Sequence, residues 1–142
     1  MVLKASASRF ANFINREPAT GEVLINRVRK GYPANLVKDA GEYFNVPEKR
    51  VLDMIGMPTS TVHRYKIQGR PLDPAVSERV HRIAVVTRQA IEVIGDAKLA
   101  KDWMLRPNLS LGDVAPFDLL DTEIGANAIR RVLVAIAEGG VV

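Results

Sequence analysis

Glycine and proline cut this chain into short segments, and the segments repeat their apolar residues at helical spacing. The breaks fall at GYP (31–33), Pro47, GMP (56–58), GRPLDP (69–74), Gly95, RPN (106–108) and Gly139-Gly140. No segment alternates apolar and polar residues long enough to make a strand. No Asn-Gly or Asp-Gly turn joins two apolar runs, and no repeat is present. The expected fold class is therefore all-α. Apolar residues make up 47% of the 142, enough for a packed core rather than a disordered chain.

The basic, serine-containing start, MVLKASASRFANFINR, has the look of a transit peptide but lacks the apolar stretch of a secretory signal. The preferred reading is an amphipathic first helix with Leu3, Phe10, Phe13 and Ile14 inward. Short helices are expected over 36–44, 47–55 and 59–66, with Pro47 in a first turn and Thr59 or Ser60 as an N-cap. A long helix over 74–94 carries Val76, Val80, Ile83, Ala84, Ala90, Ile91 and Ile94 on one stripe, broken by Thr87. Val85, Val86 and Val93 lie off that stripe, so more than one side is expected to be covered. Glu78 and Arg82 are spaced for a surface pair. Gly95 should end this helix and Asp96 cap the next, over 97–105, where Leu99 pairs with Trp103 and Ala100 with Met104. Pro116 opens a single turn. A last helix over 122–138, capped by Asp121 or Thr122, faces Gly125, Ala128, Ile129, Val132, Leu133 and Ile136 inward.

Several classes of chemistry find no residues here. Cysteine is absent, which removes disulfides, thiolate metal sites and cysteine nucleophiles. His63 and His81 fit no metal spacing, and His81 reads as a surface or interface residue. Asp118, Asp121 and Glu123 have no neighbouring His and read as turn and helix-start acids. There is no phosphate-cradling glycine loop and no triad, so we expect no enzyme, no metal and no cofactor. No apolar run nears the roughly 20 residues that span a bilayer. The expected location is the bacterial cytoplasm, without a membrane partner.

Charge is uneven along the chain. Residues 1–70 hold 12 Lys/Arg against 6 Asp/Glu, whereas residues 71–142 hold 8 against 10. A basic half beside a mildly acidic half fits two tasks, nucleic acid for the first and protein for the second. The domain reading follows: 1–70 for DNA and 71–142 for a partner and dimerisation.

Within the basic half, PEKRVLDMIGMPTSTVHRYK reads as a helix-turn-helix. Gly56 supplies a turn that tolerates positive φ. Val51, Leu52 and Ile55 point inward from the first helix, and Val62 anchors the second. Thr59, Ser60, Thr61, His63, Arg64 and Lys66 are the candidate DNA-binding residues, hydroxyls and cations on the face that would enter a major groove. Arg64 suits guanine, Lys66 phosphate, and Lys49, Arg50 and Arg70 extend the backbone contacts.

After residue 70 come L-x-P-x-x-S-x-R (Leu72 to Arg79), an alanine-containing helix ending in Gly95-Asp96, and Trp103 with Pro107-Asn108. Leu111-Gly112, the turn from Pro116 to Thr122, Ile124-Gly125 and a last helix ending in glycine complete the series. This series, with its spacing, resembles the toxin-binding domain of the Xre/MbcA/ParS antitoxin family. The preceding half, VRKGYPANLV and the helix-turn-helix, resembles the Xre-type helical domain. The resemblance implies an antitoxin of a type II toxin–antitoxin pair that dimerises, binds operator DNA of its own promoter and inhibits a RES-domain, NAD-degrading toxin. It further implies that the C-terminal end, Gly139, Gly140, Val141 and Val142, reaches the toxin's active-site cleft. Two departures are visible. Asp113 stands where such chains commonly have a second glycine, and the tail lacks their usual terminal aromatic residue. The alternative is a stand-alone dimeric helix-turn-helix regulator whose second half only dimerises.

Overall fold

The computed structural model describes residues 4–139. The α-helices among them are α1 (Ala5–Arg16), α2 (Glu22–Lys30), α3 (Asn35–Phe44), α4 (Glu48–Ile55), α5 (Thr59–Gln68), α6 (Pro74–Ile94), α7 (Ala97–Leu105) and α8 (Glu123–Ala137). Single 3₁₀ turns occur at Leu109–Leu111 and Pro116–Leu119. The described residues contain an isolated bridge, Asn108 to Val114, but no strand. The all-α expectation holds. None of these helices is long and apolar enough to cross a membrane. The chain gathers into two compact units, one up to His81 and one from Arg82 onward.

The core of the first unit is aromatic. Phe10 and Ile14 of α1 are buried, and Phe10 stacks obliquely on Tyr43 and Phe44 of α3, with ring centroids 5.6 and 6.1 Å apart. Phe13 is only half-buried and meets the edge of Tyr32 at 4.9 Å. Leu3, expected inward, lies outside the described residues. Two buried carboxylates are each satisfied. Asp39 takes two hydrogen bonds from Arg9, at 3.1 and 2.9 Å, which in turn raise the Arg9 pKa above its ordinary value. Glu17 accepts from the Tyr32 hydroxyl at 2.6 Å and from Arg27. Burial, and then the bond to Glu17, push the Tyr32 phenol far above its usual range.

Three placements differ from the sequence reading. Helix α2 fills a stretch that periodicity left unassigned, and none of its residues is buried. His81 is buried rather than on the surface, and its Nε2 donates to the Pro18 carbonyl at 2.8 Å. Thr87 does not break the α6 stripe. It is fully buried and its hydroxyl donates back to the Ile83 carbonyl at 2.6 Å, so its methyl can pack while its polar atom is satisfied.

The Leu72–Arg79 segment makes its hydrogen bonds within the first unit. Leu72 N–H donates to the Tyr32 carbonyl at 2.9 Å, and Tyr32 N–H donates to Ser77 Oγ at 3.0 Å. Ser77 Oγ also donates to the Leu72 carbonyl at 3.3 Å. Leucine, proline and serine thus have separate tasks: Leu72 is buried, Pro74 opens α6, and Ser77 ties the GYP loop to it.

In the second unit, Ile83, Val86 and Ala90 of α6 are buried, with Ala100 and Met104 of α7, Phe117 and Leu120, and Ala126, Ile129 and Leu133 of α8. Val86, off the expected stripe, is fully buried, while Val85 and Val93 are half-covered. Asp96 caps α7, accepting from Leu99 N–H at 2.8 Å, and Thr122 caps α8, accepting from Gly125 N–H at 2.9 Å. Gly125 has no room for a side chain, because a Cβ there would lie 2.0 Å from the Leu119 carbonyl oxygen.

Candidate functional site

The turn between α4 and α5 is held from both sides. Gly56 adopts φ +69°, a left-handed conformation that costs a β-carbon-bearing residue about 1–2 kcal/mol. The Met57 N–H donates to the Leu52 carbonyl at 3.1 Å. Arg79, from α6, donates to the Ile55 carbonyl at 3.1 Å and lies where a Gly56 side chain would go. This arginine satisfies a carbonyl at the open end of α4, beside the turn into α5. Sequence reasoning placed Arg79 in a motif without giving it this task.

Helix α5 buries Val62 and Tyr65 and turns its other side outward. Thr59, Ser60, His63 and Arg64 are exposed, and Thr61 is half-buried beside them. Pro58, not Thr59 or Ser60, is the N-cap, and no side chain caps this end. The hydroxyls of Thr59 and Ser60 are therefore on the exposed surface instead of turned back to close the helix. The Pro58 carbonyl opens the helix by accepting from the Thr61 and Val62 N–H groups at 3.1 and 3.2 Å.

The cations singled out in the sequence are already engaged. Lys66 is mostly covered and pairs with Glu48 at 2.7 Å. Lys49 pairs with Asp53 at 3.1 Å, one turn along α4. Arg70 stacks over the Tyr65 ring at 4.3 Å and reaches Asp73 at 3.5 Å. Arg64 is exposed, with its guanidinium carbon over the Tyr65 ring at 5.8 Å from the centroid.

In the second unit the acids near α8 form ion pairs rather than a reactive cluster. Glu123 accepts from Arg130 and from Arg82 at 3.2 Å, and Arg82 also donates to the Leu120 carbonyl at 3.1 Å. Arg82 thus serves the start of α8 rather than the expected surface pair with Glu78. Partial burial would raise the Glu123 pKa, but the hydrogen bonds and charges of Arg130 and Arg82 outweigh it and hold the carboxyl below its ordinary value. Arg130 is therefore tied into the fold rather than solvated, while Arg131 is exposed. Among the described residues, no group of three His, Asp or Glu could hold a metal ion. Trp103 is half-buried and Asn108 buried. Gly139 is exposed just beyond α8; Gly140, Val141 and Val142 lie outside the described residues.

These arrangements define a helix-turn-helix protein with a second, separately cored helical unit. Residues 23–85 match the antitoxin Xre-like helix-turn-helix domain, and residues 89–139 match the antitoxin Xre/MbcA/ParS C-terminal toxin-binding domain. An antitoxin Xre of Pseudomonas putida is 32% identical over 124 residues, covering 87% of this chain and 76% of that one. An antitoxin Xre of Yersinia enterocolitica is 29% identical over 120 residues, covering 84% and 81%. A Sphingobium protein named Prs ADP-ribosylating antitoxin is 28% identical over 124 residues, covering 81% and 78%. The chain belongs to the Xre/MbcA/ParS family of antitoxins. It is an antitoxin of a toxin–antitoxin system, built from a DNA-binding helix-turn-helix and a toxin-binding domain.

Proposed function

We propose that this antitoxin inhibits a RES-type, NAD-degrading toxin through its C-terminal unit and, as a homodimer, represses its own promoter through α5. The observation that carries the DNA half is the asymmetry of α5. Val62 and Tyr65 are buried behind it, while Thr59, Ser60, Thr61, His63 and Arg64 stand on the other side with Lys66 at the edge. In the major groove Arg64 would read guanine, and the hydroxyls near the helix start would hold phosphate. The toxin half rests on the family domain at 89–139. Gly139 and the tail Gly140, Val141 and Val142 are the segment proposed to enter the toxin cleft.

The Sphingobium relative's name favours a second reading of the partner, in which the toxin transfers ADP-ribose from NAD to Prs with release of nicotinamide, rather than degrading NAD without a protein acceptor. Co-expression with the product of the adjacent gene tests both. Growth rescue, co-purification and preserved cellular NAD support the first reading. Rescue, where the toxin alone leaves ADP-ribose on a target protein and consumes NAD only in proportion to it, supports the second. A toxin-free operon, with operator binding intact, would support a stand-alone dimeric regulator instead. Within the complex, Arg64→Ala should abolish operator binding and leave toxin binding unchanged. Deleting 140–142 should relieve inhibition more than it weakens the complex.

A further inference from the structure

Helix α7 has one buried side and one open one. Ala100 and Met104 are fully buried, whereas Leu99 is 55% exposed and Trp103, four residues on, shares its face. The chain then turns, and Leu109 is 89% exposed. Trp103, Arg106, Pro107, Asn108 and Leu109 line an open cavity of about 300 Å³, the lower end of the range that takes a small ligand or a few side chains.

This leucine is held in place, not loosely hung. Asn108 N–H donates to the Val114 carbonyl at 3.1 Å, and the Asn108 carbonyl accepts from Leu111 and Asp113 at 3.0 and 2.9 Å. Its side chain accepts from Ser110 N–H at 2.9 Å. The buried asparagine thus ties the loop closed on both flanks of Leu109. An ordered turn that presents a leucine to water, beside a half-buried tryptophan, has the makings of an interface centre. The remaining exposed apolar residues of α8 make no comparable patch. Ile124 and Val134 are ten residues apart, roughly 15 Å along the helix at 1.5 Å per residue.

We infer that Leu99, Trp103 and Leu109 form the surface on which the body of the toxin docks, separate from the tail that would enter its cleft. The inference rests on the antitoxin reading above, and the occupant follows from continuity: the patch lies wholly within the toxin-binding domain at 89–139. The cavity takes an aliphatic or aromatic side chain of the toxin. Arg106 on its rim, exposed and bonded to the Asp102 carbonyl at a long 3.4 Å, adds a guanidinium that selects an acidic neighbour.

The test uses the full chain with the toxin encoded beside it, read by calorimetric affinity, growth rescue and thermal melting. Leu109→Glu, at a position almost wholly in water, should leave folding and operator binding unchanged and weaken the complex by about 30-fold or more, the size of a hot-spot loss. Trp103→Ala should weaken it similarly. Ile124→Glu, equally exposed but off the patch, should stay within about threefold. Wild-type affinity in both Leu109→Glu and Trp103→Ala overturns the inference. So does a Leu109→Glu chain that loses self-association while it still binds toxin, since the surface would then belong to a second copy. A wild-type chain that neither binds nor neutralises the toxin overturns the functional reading too, and is told apart because the unmutated protein fails.

Discussion

Replacing Gly125 by alanine should harm this protein by far more than its chemistry implies. In an ordinary helix interior the change is favourable by about 0.8–1.0 kcal/mol. Here the new methyl would sit 2.0 Å from the Leu119 carbonyl oxygen, 2.9 Å from its carbon and 3.0 Å from its Cβ. Ordinary contact begins near 3.4 Å, so the start of α8 and the turn at Pro116–Leu119 must part by more than 1 Å. Two of the three obstructing atoms are backbone, and the turn is anchored by buried Pro116, Phe117 and Leu120. Overpacking costs about 1–3 kcal/mol where side chains can yield, and more where backbone must move. We expect a net loss of about 2–4 kcal/mol, near the severe end of single substitutions. At roughly 4–8 °C per kcal/mol for a domain of this size, the C-terminal unit should melt about 8–32 °C lower. The assay is calorimetric melting of the full chain, with Gly69→Ala as control. Gly69, unlike Gly125, has φ above zero, but the space around it is open, so only the conformational cost of about 1–2 kcal/mol applies. A Gly125→Ala protein that melts with the wild type, or above it, would refute the close approach and the reason given for this glycine.

Further outcomes follow from the same contacts. Asp113 adopts φ +64°, so Asp113→Gly should stabilise the chain by about 1 kcal/mol, read as a higher melting temperature. Arg79→Met removes the donor that closes α4 at Ile55. It should cost about 1–2 kcal/mol and weaken operator binding by disturbing the α4–α5 angle, both measured on the same sample. Glu123 has its carboxyl held below the ordinary 4.5, so its ion pairs contribute stability above pH 4.5 that is lost as pH falls through the lower folded value. Glu123→Gln should flatten the acid limb of the stability curve, with the difference from wild type vanishing at the lowest pH. Because its side chain is 55% exposed, the effect should be small.

The helices with strong apolar stripes were legible from spacing alone, and α6 was placed to the residue. The cap Asp96 was legible, and the cap of α8 was narrowed to Asp121 or Thr122, of which Thr122 serves, because short polar side chains favour such points. Helix α2 was not, because it buries none of its residues and is held by Arg27 reaching Glu17, a contact ten residues away in the chain. His81 and Thr87 were misplaced for a common reason. A sequence shows that a side chain is polar but not that a carbonyl waits for it, and Pro18 and Ile83 supply those carbonyls. In the helix-turn-helix the exposed side of α5 was readable from Val62 and its neighbours. The partners of Lys66 and Arg70 were not, since ion pairing is decided by packing and not by charge count. The role of Asp113 became readable only with its φ of +64°, a conformation that glycine adopts without strain.

The pairing of Lys66 with Glu48 has a bearing on salt. Releasing condensed ions from DNA gives a binding protein its ionic-strength dependence, about 0.9 of an ion for each phosphate neutralised. A lysine that must leave a carboxylate to meet a phosphate trades one anion for another, and the exchange returns little net attraction. Lys49 beside Asp53 and Arg70 beside Asp73 face the same competition. Nonspecific grip on duplex DNA should therefore be weaker than a pI near 9.6 alone suggests.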